Sequence, residues 1–191
     1  MKFLIFSLTF LYTTLAFAQR PCEFVTDVVD SIGSYKATKE YLMYEKNFAG
    51  NSSYVFNSIV ISDGLPILTV QFLEKSNDFI KVKCFDKNSR LYIQLENNKI
   101  VTLFHIEQES CGSLVRDDKG MNNRVLTGYF MFQKADYEDL KKSPVSLIRV
   151  KYATDLTDFI IRKAMKSELN GALSEPDTYF INYLHCLEGK N

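Results

Sequence analysis

The chain has 191 residues, of which 23 are basic and 23 acidic, and its formal net charge at pH 7 is zero. The charges are interspersed along the sequence, which argues against nucleic acid or an anionic membrane surface as the main partner, because both require a basic patch. The length suits one domain with a sizeable hydrophobic core.

The first 18 residues have the pattern of a secretory signal peptide. Lys2 is followed by an apolar segment from Phe3 to Leu15 and then by the small-residue motif ending at Ala18. This order predicts cleavage after Ala18 and a secreted or periplasmic protein. An uncleaved anchor helix is the alternative, but the apolar segment is shorter than the roughly 20 residues that span a membrane. We therefore predict no membrane span and a single β-rich domain at residues 19–191.

Four cysteines follow the predicted leader: Cys22, Cys84, Cys111 and Cys186. Their spacing contains no C-x-x-C or Cys/His pair of the kind that builds zinc sites, so disulfides are expected in an oxidising compartment. Three pairings are possible. We predict Cys84–Cys111, which are close in sequence, and Cys22–Cys186, because the two ends of a domain commonly lie near each other.

Before the central strands, Thr38–Phe48 is ambiguous. Its lysines and glutamates suit a helix, whereas its density of tyrosine favours a strand. We predict a strand, because residues 49–53 then form a hairpin loop into the next strand.

The central stretch from Tyr54 to Ile106 predicts consecutive β-hairpins. Tyr54–Ile61 and Ile67–Leu73 flank one turn signal, and Leu91–Leu95 and Lys99–Ile106 flank another. Some of these strands are apolar on both faces, which requires a second layer. The predicted fold is mainly β: an antiparallel β-sandwich or flattened barrel.

Residues 107–124 form the longest stretch without periodicity, and we predict a long loop there. Loops of this length are often functional. Asp117, Asp118 and Asn122 offer oxygen atoms, but they lack the regular ligand spacing of a calcium loop, so no metal site is predicted.

The C-terminal part predicts a short helix, a hairpin and a terminal helix. Residues 135–142 place acidic residues first and lysines last, as a short helix prefers. Val145–Tyr152 and Phe159–Lys163 read as the last hairpin. Met165–Leu173 is predicted to be helical, and beyond Pro176 a C-terminal helix carrying Cys186 is expected to pack its apolar stripe on the sheet.

Three motifs in the last quarter of the chain carry a resemblance. They are Pro-Val-x-Leu-Ile-Arg-Val within Leu140–Tyr152, then Asp-Phe-Ile-Ile, and a terminal Tyr-Phe-Ile-Asn-Tyr-Leu-x-Cys-Leu. Together they resemble a pattern in small secreted bacterial β-rich proteins without assigned function. The resemblance implies an exported bacterial protein and no particular activity.

Aromatic residues are the most distinctive feature, with eleven tyrosines, fifteen phenylalanines and no tryptophan. Tyrosine offers a large rigid surface with a polar tip, which suits contact with a protein or glycan partner. The alternative is ordinary core and edge packing. The candidate contact residues are Tyr41, Tyr44, Tyr54 and Tyr92, with His105 as a further surface candidate. We predict a non-enzymatic, disulfide-stabilised binding module of unknown ligand.

An extracellular hydrolase is the alternative function. It would use His105 as a base near the 107–124 loop, but no nucleophile-elbow motif accompanies this histidine. His185 is expected to be partly exposed beside the Cys186 disulfide. The carboxylate pairs Asp155/Asp158 and Asp117/Asp118 lie in predicted turns, where aspartate is favoured for local backbone hydrogen bonds. No phosphate-binding loop is present, so no cofactor is predicted. A structural or envelope-maintenance protein remains a third possibility.

Overall fold

A computed structural model describes residues 20–106 and 108–188. The predicted signal peptide at residues 1–18 lies outside the described residues. Within the described ranges, no helix is long and apolar enough to cross a membrane.

The described residues form a mainly β fold. The strands are β1 Phe24–Val29, β2 Ser34–Thr38, β3 Tyr41–Phe48, β4 Asn51–Ser62, β5 Leu65–Ser76, β6 Cys84–Phe85, β7 Arg90–Leu95, β8 Ile100–His105, β9 Ser110–Cys111, β10 Ser113–Arg116, β11 Asn122–Met131, β12 Val145–Lys151, β13 Leu156–Ile160, β14 Met165–Lys166 and β15 Leu173–Ser174. The α-helices are α1 Tyr137–Leu140 and α2 Tyr179–Tyr183. The 3-10 segments are Lys134–Asp136, Pro176–Thr178 and Leu184–Glu188.

One large antiparallel sheet has the order β1-β2-β4-β5-β11-β8-β7-β12-β13, with β3 paired to β4 and β10 paired to β11. Two small ribbons, β14-β15 and β6-β9, accompany it. Among the described residues the sheet does not close into a barrel, since the paired order ends at β1 and β13.

The predicted hairpins are confirmed. Strand β4 pairs with β5 over Ser52–Ser62, and β7–β8 and β12–β13 are hairpins as well. Asp63 and Gly64, both with positive φ, make the turn between β4 and β5, as the tight turns that match strand twist require. The ambiguous segment before Ala49 is strand β3, paired with β4 as predicted.

The sheet folds over so that its two halves face each other across an aromatic core. The Phe159 ring of β13 lies 5.1 Å from the Tyr44 ring of β3 and 5.6 Å from the Phe72 ring of β5. Phe72 in turn lies 6.0 Å from Phe85, which is completely buried. These contacts join the layers into one core, as the predicted two-layer β fold requires.

The C-terminal helical segment covers this core. Tyr179, Phe180 and Leu184 are buried and belong to the main hydrophobic cluster. Helix α1, which precedes the last hairpin, is present as predicted but spans only four residues. Helix α2 is also short, and 3-10 turns extend it at both ends.

The prediction of a helix over Met165–Leu173 is wrong. This segment is the hairpin β14–β15. The Ser167 hydroxyl accepts a hydrogen bond from the Leu169 N–H, and Asn170 Oδ1 accepts one from the Ala172 N–H. Such local bonds compete with helix formation, and Gly171 has the positive φ of a turn.

The prediction of a long loop over residues 107–124 is also wrong. The described part of this segment contains β9, β10 and the start of β11. All four residues of β10 are exposed, so the strand buries no face and shows no hydrophobic alternation. Its strand character comes from pairing with β11.

Both predicted disulfides are present. Cys22–Cys186 ties the segment before β1 to the last helical turn, across 164 residues of sequence. Cys84–Cys111 joins directly paired positions of β6 and β9.

Candidate functional site

A cleft of about 570 Å³ lies between the start of β3 and the hairpin β14–β15. Its volume is in the range of small-ligand sites, roughly 300–1,000 Å³. We refer to it as the tyrosine cleft, and it is lined by Val25, Lys39, Glu40, Tyr41, Leu42, Phe56, Ser167, Asn170, Ala172, Leu173 and Ser174.

Hydrogen bonds to β3 hold the hairpin that forms one wall of the cleft. The buried carboxylate of Glu45 accepts bonds from the Glu168 backbone N–H at 3.0 Å and from Asn47 Nδ2 at 2.9 Å. Asn47 Nδ2 also donates to the Glu168 carboxylate at 3.0 Å. The wall is therefore fixed by side chains more than 120 residues away in sequence, which favours a preformed site.

Tyr41 lies at the centre of the site. Its hydroxyl oxygen accepts a hydrogen bond from the Glu175 N–H at 2.8 Å, and its ring lies 5.2 Å from that of Tyr179 and 5.5 Å from that of Tyr183. Burial raises the pKa of Tyr41 above its ordinary value. Arg20 forms an ion pair with the carboxylate of Glu175, the residue whose N–H binds Tyr41.

A smaller cavity of about 190 Å³ adjoins the tyrosine cleft. The two concavities share Lys39, Glu40 and Tyr41, and the smaller one extends toward Tyr179 and Tyr183. Tyr41 therefore borders both concavities.

The cleft lining combines apolar surface with neutral hydrogen-bonding groups. Tyr41 and Phe56 supply aromatic rings. The hairpin contributes polar residues: Asn170 is exposed, whereas Ser167 and the Ser174 hydroxyl are buried. The two ionisable groups with full charge are Lys39 and Glu40, whose charges balance. This chemistry fits a neutral ligand with many hydroxyl groups and apolar faces.

The four tyrosines that were candidate contact residues do not form one surface. Tyr41 lines the cleft, and Tyr54 is buried behind it, where its ring stacks on Phe56 with centroids 6.3 Å apart. Tyr44 packs inward against Phe159, and Tyr92 lies in the middle of β7. Tyr41 and Tyr54 lie at different positions of the β3–β4 pair, where Tyr41 is opposite Asn57 and Tyr54 is opposite Glu45. The binding role of these residues stays a prediction.

His105 lies in the core. Its side chain is 7% exposed, and its ring lies 5.1 Å from the Phe85 ring and 5.4 Å from that of Phe130. A substrate has little access to an imidazole so enclosed. His185 is half-buried beside the terminal disulfide, with Nε2 3.3 Å from Cys22 Sγ.

The candidate carboxylate pairs are engaged in structural contacts. Asp117 accepts turn hydrogen bonds from the Lys119 and Met121 N–H groups. Hydrogen bonds from Asn123 and Met121 lower the pKa of Asp117. Arg149 binds both oxygens of Asp158 and lowers the pKa of that carboxyl. Carboxyls with lowered pKa values are poorly suited to act as general acids.

The hairpin residues of the cleft were not identified from sequence. Ser167, Asn170 and Leu173 fall in the segment predicted to be helical, and Ser174 follows it directly. The dipeptide Asn170-Gly171 is a turn signal that favours a β-hairpin. It is the local sequence feature from which the β14–β15 hairpin could have been predicted.

Comparison with known proteins identifies no relative: the chain matches no family model, no curated protein and no solved structure.

Proposed function

We propose that the protein is a secreted, disulfide-stabilised, non-enzymatic module that binds a neutral glycan in the tyrosine cleft. The observation that carries the proposal is the combination, in one cleft of about 570 Å³, of the aromatic residues Tyr41 and Phe56 with the polar residues of the β14–β15 hairpin, of which Asn170 is exposed.

The shape and charge of the cleft favour a glycan over a protein partner. Sugar rings have apolar faces that pack on aromatic rings, and their hydroxyl groups pair with serine and asparagine side chains. The cleft is concave, whereas a protein partner generally requires a larger surface of about 800 Å² on each side. The balanced charges of Lys39 and Glu40 favour a neutral ligand.

Export is part of the proposal. The leader-like residues 1–18 support it, and so do the two disulfides, which form and persist in oxidising compartments. Small binding modules outside the cytoplasm commonly rely on such links for stability.

Binding of the protein to a printed array of neutral and acidic oligosaccharides tests the function. We expect retention on a subset of the neutral oligosaccharides. The variant Leu173→Arg places a long charged side chain at the cleft wall, and because Leu173 is 80% exposed the change leaves the core intact. It is expected to reduce the retained signal at least about tenfold, the effect of losing roughly 1.4 kcal/mol.

The matched control is Leu156→Arg, which makes the same change at an exposed leucine of β13 outside the cleft lining. It is expected to bind like the unmodified protein. Absence of binding to any neutral oligosaccharide, or equal binding by the Leu173→Arg variant, would refute the proposal.

A further inference from the structure

A second concavity lies at the opposite end of β3 from the tyrosine cleft. It is an open groove of about 400 Å³ between the end of β3, the start of β4 and the end of β5 with the segment that follows it. We refer to it as the phenylalanine groove, and its lining includes Lys46, Phe48, Glu74, Lys75, Phe79 and Lys81.

Two phenylalanine rings on this groove are unusually exposed. Phe48 is 74% exposed and Phe79 is 83% exposed, more than any other aromatic residue that the structure describes. Isolated exposed apolar residues are ordinary, but two large rings on one concave surface present apolar area that a ligand can cover. The groove therefore has a chemical preference for an apolar chain or ring.

The charges of the groove are mainly positive. The lining has one acidic residue, Glu74, and three lysines, Lys46, Lys75 and Lys81. The Glu74 carboxylate is paired with Lys83, which is outside the lining, at 2.6 Å. Lys75 and Lys81 are themselves paired, with Asp117 at 3.7 Å and Asp155 at 3.1 Å. Lys46 has no ion pair within the described part of the chain, and its ammonium group is available to an anionic ligand.

We propose that the phenylalanine groove binds a single-chain anionic amphiphile, such as a long-chain carboxylate. The carboxylate pairs with Lys46, and the alkyl chain lies over Phe48 and Phe79. The groove is concave, which fits one chain better than a flat bilayer surface, and the chain as a whole has no excess of basic residues to hold it on an anionic membrane. This site is separate from the glycan cleft, and either proposal can fail without the other.

The absence of tryptophan from the chain provides a clean reporter. In the variant Phe79→Trp the introduced indole is the only one, and it replaces an aromatic ring at an exposed position. Its fluorescence is followed during titration with monomeric dodecanoate below the micelle concentration, with acetate, with dodecyltrimethylammonium, and with vesicles of phosphatidylcholine and phosphatidylglycerol.

We expect a blue shift that saturates with dodecanoate, no shift with acetate, and a response to the cationic amphiphile only at higher concentration, because it keeps the apolar contact and loses the ion pair. In the same background, Lys46→Gln is expected to weaken dodecanoate binding about threefold, as the loss of one solvent-exposed ion pair implies. The matched control Lys87→Gln removes an exposed lysine outside the groove and is expected to leave binding unchanged.

Three results would overturn the proposal: no saturable response to dodecanoate, an equal response to the cationic amphiphile, or equal binding by the Lys46→Gln variant. A response to anionic vesicles without one to monomeric dodecanoate would also overturn it and assign the surface to a membrane. The same titration is carried out with the variant Phe48→Trp, whose indole lies at a second position in the groove. A fluorescence change that is specific to the indole at position 79 is then distinguished from ligand binding in the groove.

Discussion

At the scale of single residues, Gly128 allows the aromatic core to close. A Cβ atom at this position would lie 2.6 Å from Phe85 Cε2 and 2.8 Å from Phe130 Cε2. Both rings are completely buried, and Phe85 stacks on Tyr152 with centroids 5.1 Å apart. The rings cannot move aside without disturbing the packing around them, because protein interiors are close-packed.

We predict that Gly128→Ala lowers the free energy of unfolding by about 1–3 kcal/mol, the usual cost of overpacking a core. Urea denaturation measures this loss. The matched control is Gly112→Ala, whose Cβ would approach mainly the flexible side chain of Arg124, at 3.1 Å. A loss for Gly128→Ala no larger than that for Gly112→Ala would contradict this explanation.

At the scale of elements, Asp177 is a buried carboxyl group in the C-terminal helical segment. It lies in the 3-10 turn before α2 and is buried. Burial, and to a lesser extent the negative charge of Glu96, raises the pKa of the Asp177 carboxyl. The folded state therefore holds this proton more tightly than the unfolded state, and stability falls as the pH rises between the two pKa values.

We predict that Asp177→Asn stabilises the protein at pH 7 and that this gain disappears below the unfolded aspartate pKa of about 3.9. Urea denaturation at pH 7 and pH 3 tests the difference. Asp158→Asn is the opposite case: Arg149 lowers the pKa of Asp158, so its replacement is expected to reduce stability at pH 7 and to have less effect at pH 3. Destabilisation by Asp177→Asn at pH 7 would contradict the burial argument.

Elements with strong local signals were predictable from the sequence. The β7–β8 hairpin shows clear alternation because one face of each strand is buried. Strand β10 was missed because it buries no face, and β14–β15 was missed because its apolar spacing imitates a helix. The tyrosine cleft depends on contacts such as Tyr41 with Glu175, 134 residues apart, which no local pattern reveals.

At the scale of the whole molecule, the Cys22–Cys186 disulfide closes nearly the entire described chain into a loop. Its sequence separation is 164 residues, against 27 for Cys84–Cys111. In the chain-entropy model these links stabilise the folded state by about 5 and about 3.5 kcal/mol respectively, because the longer loop restricts the unfolded chain more.

We predict that replacing Cys22 and Cys186 by serine costs more stability than replacing Cys84 and Cys111, as measured by urea denaturation of both double variants. The burial of Cys186 adds to the cost, because a serine hydroxyl there loses contact with water. A larger loss for the Cys84/Cys111 variant would show that the terminal link contributes less than its loop length implies.

The central claim is that the ligand occupies the tyrosine cleft. The most direct test maps amide chemical-shift changes in the nitrogen-15-labelled protein during titration with a neutral oligosaccharide retained on the array. We predict the largest changes at Tyr41, Phe56 and residues 167–174, which line the cleft. Changes centred on Tyr92 or on the phenylalanine groove, with the cleft amides unmoved, would contradict the claim.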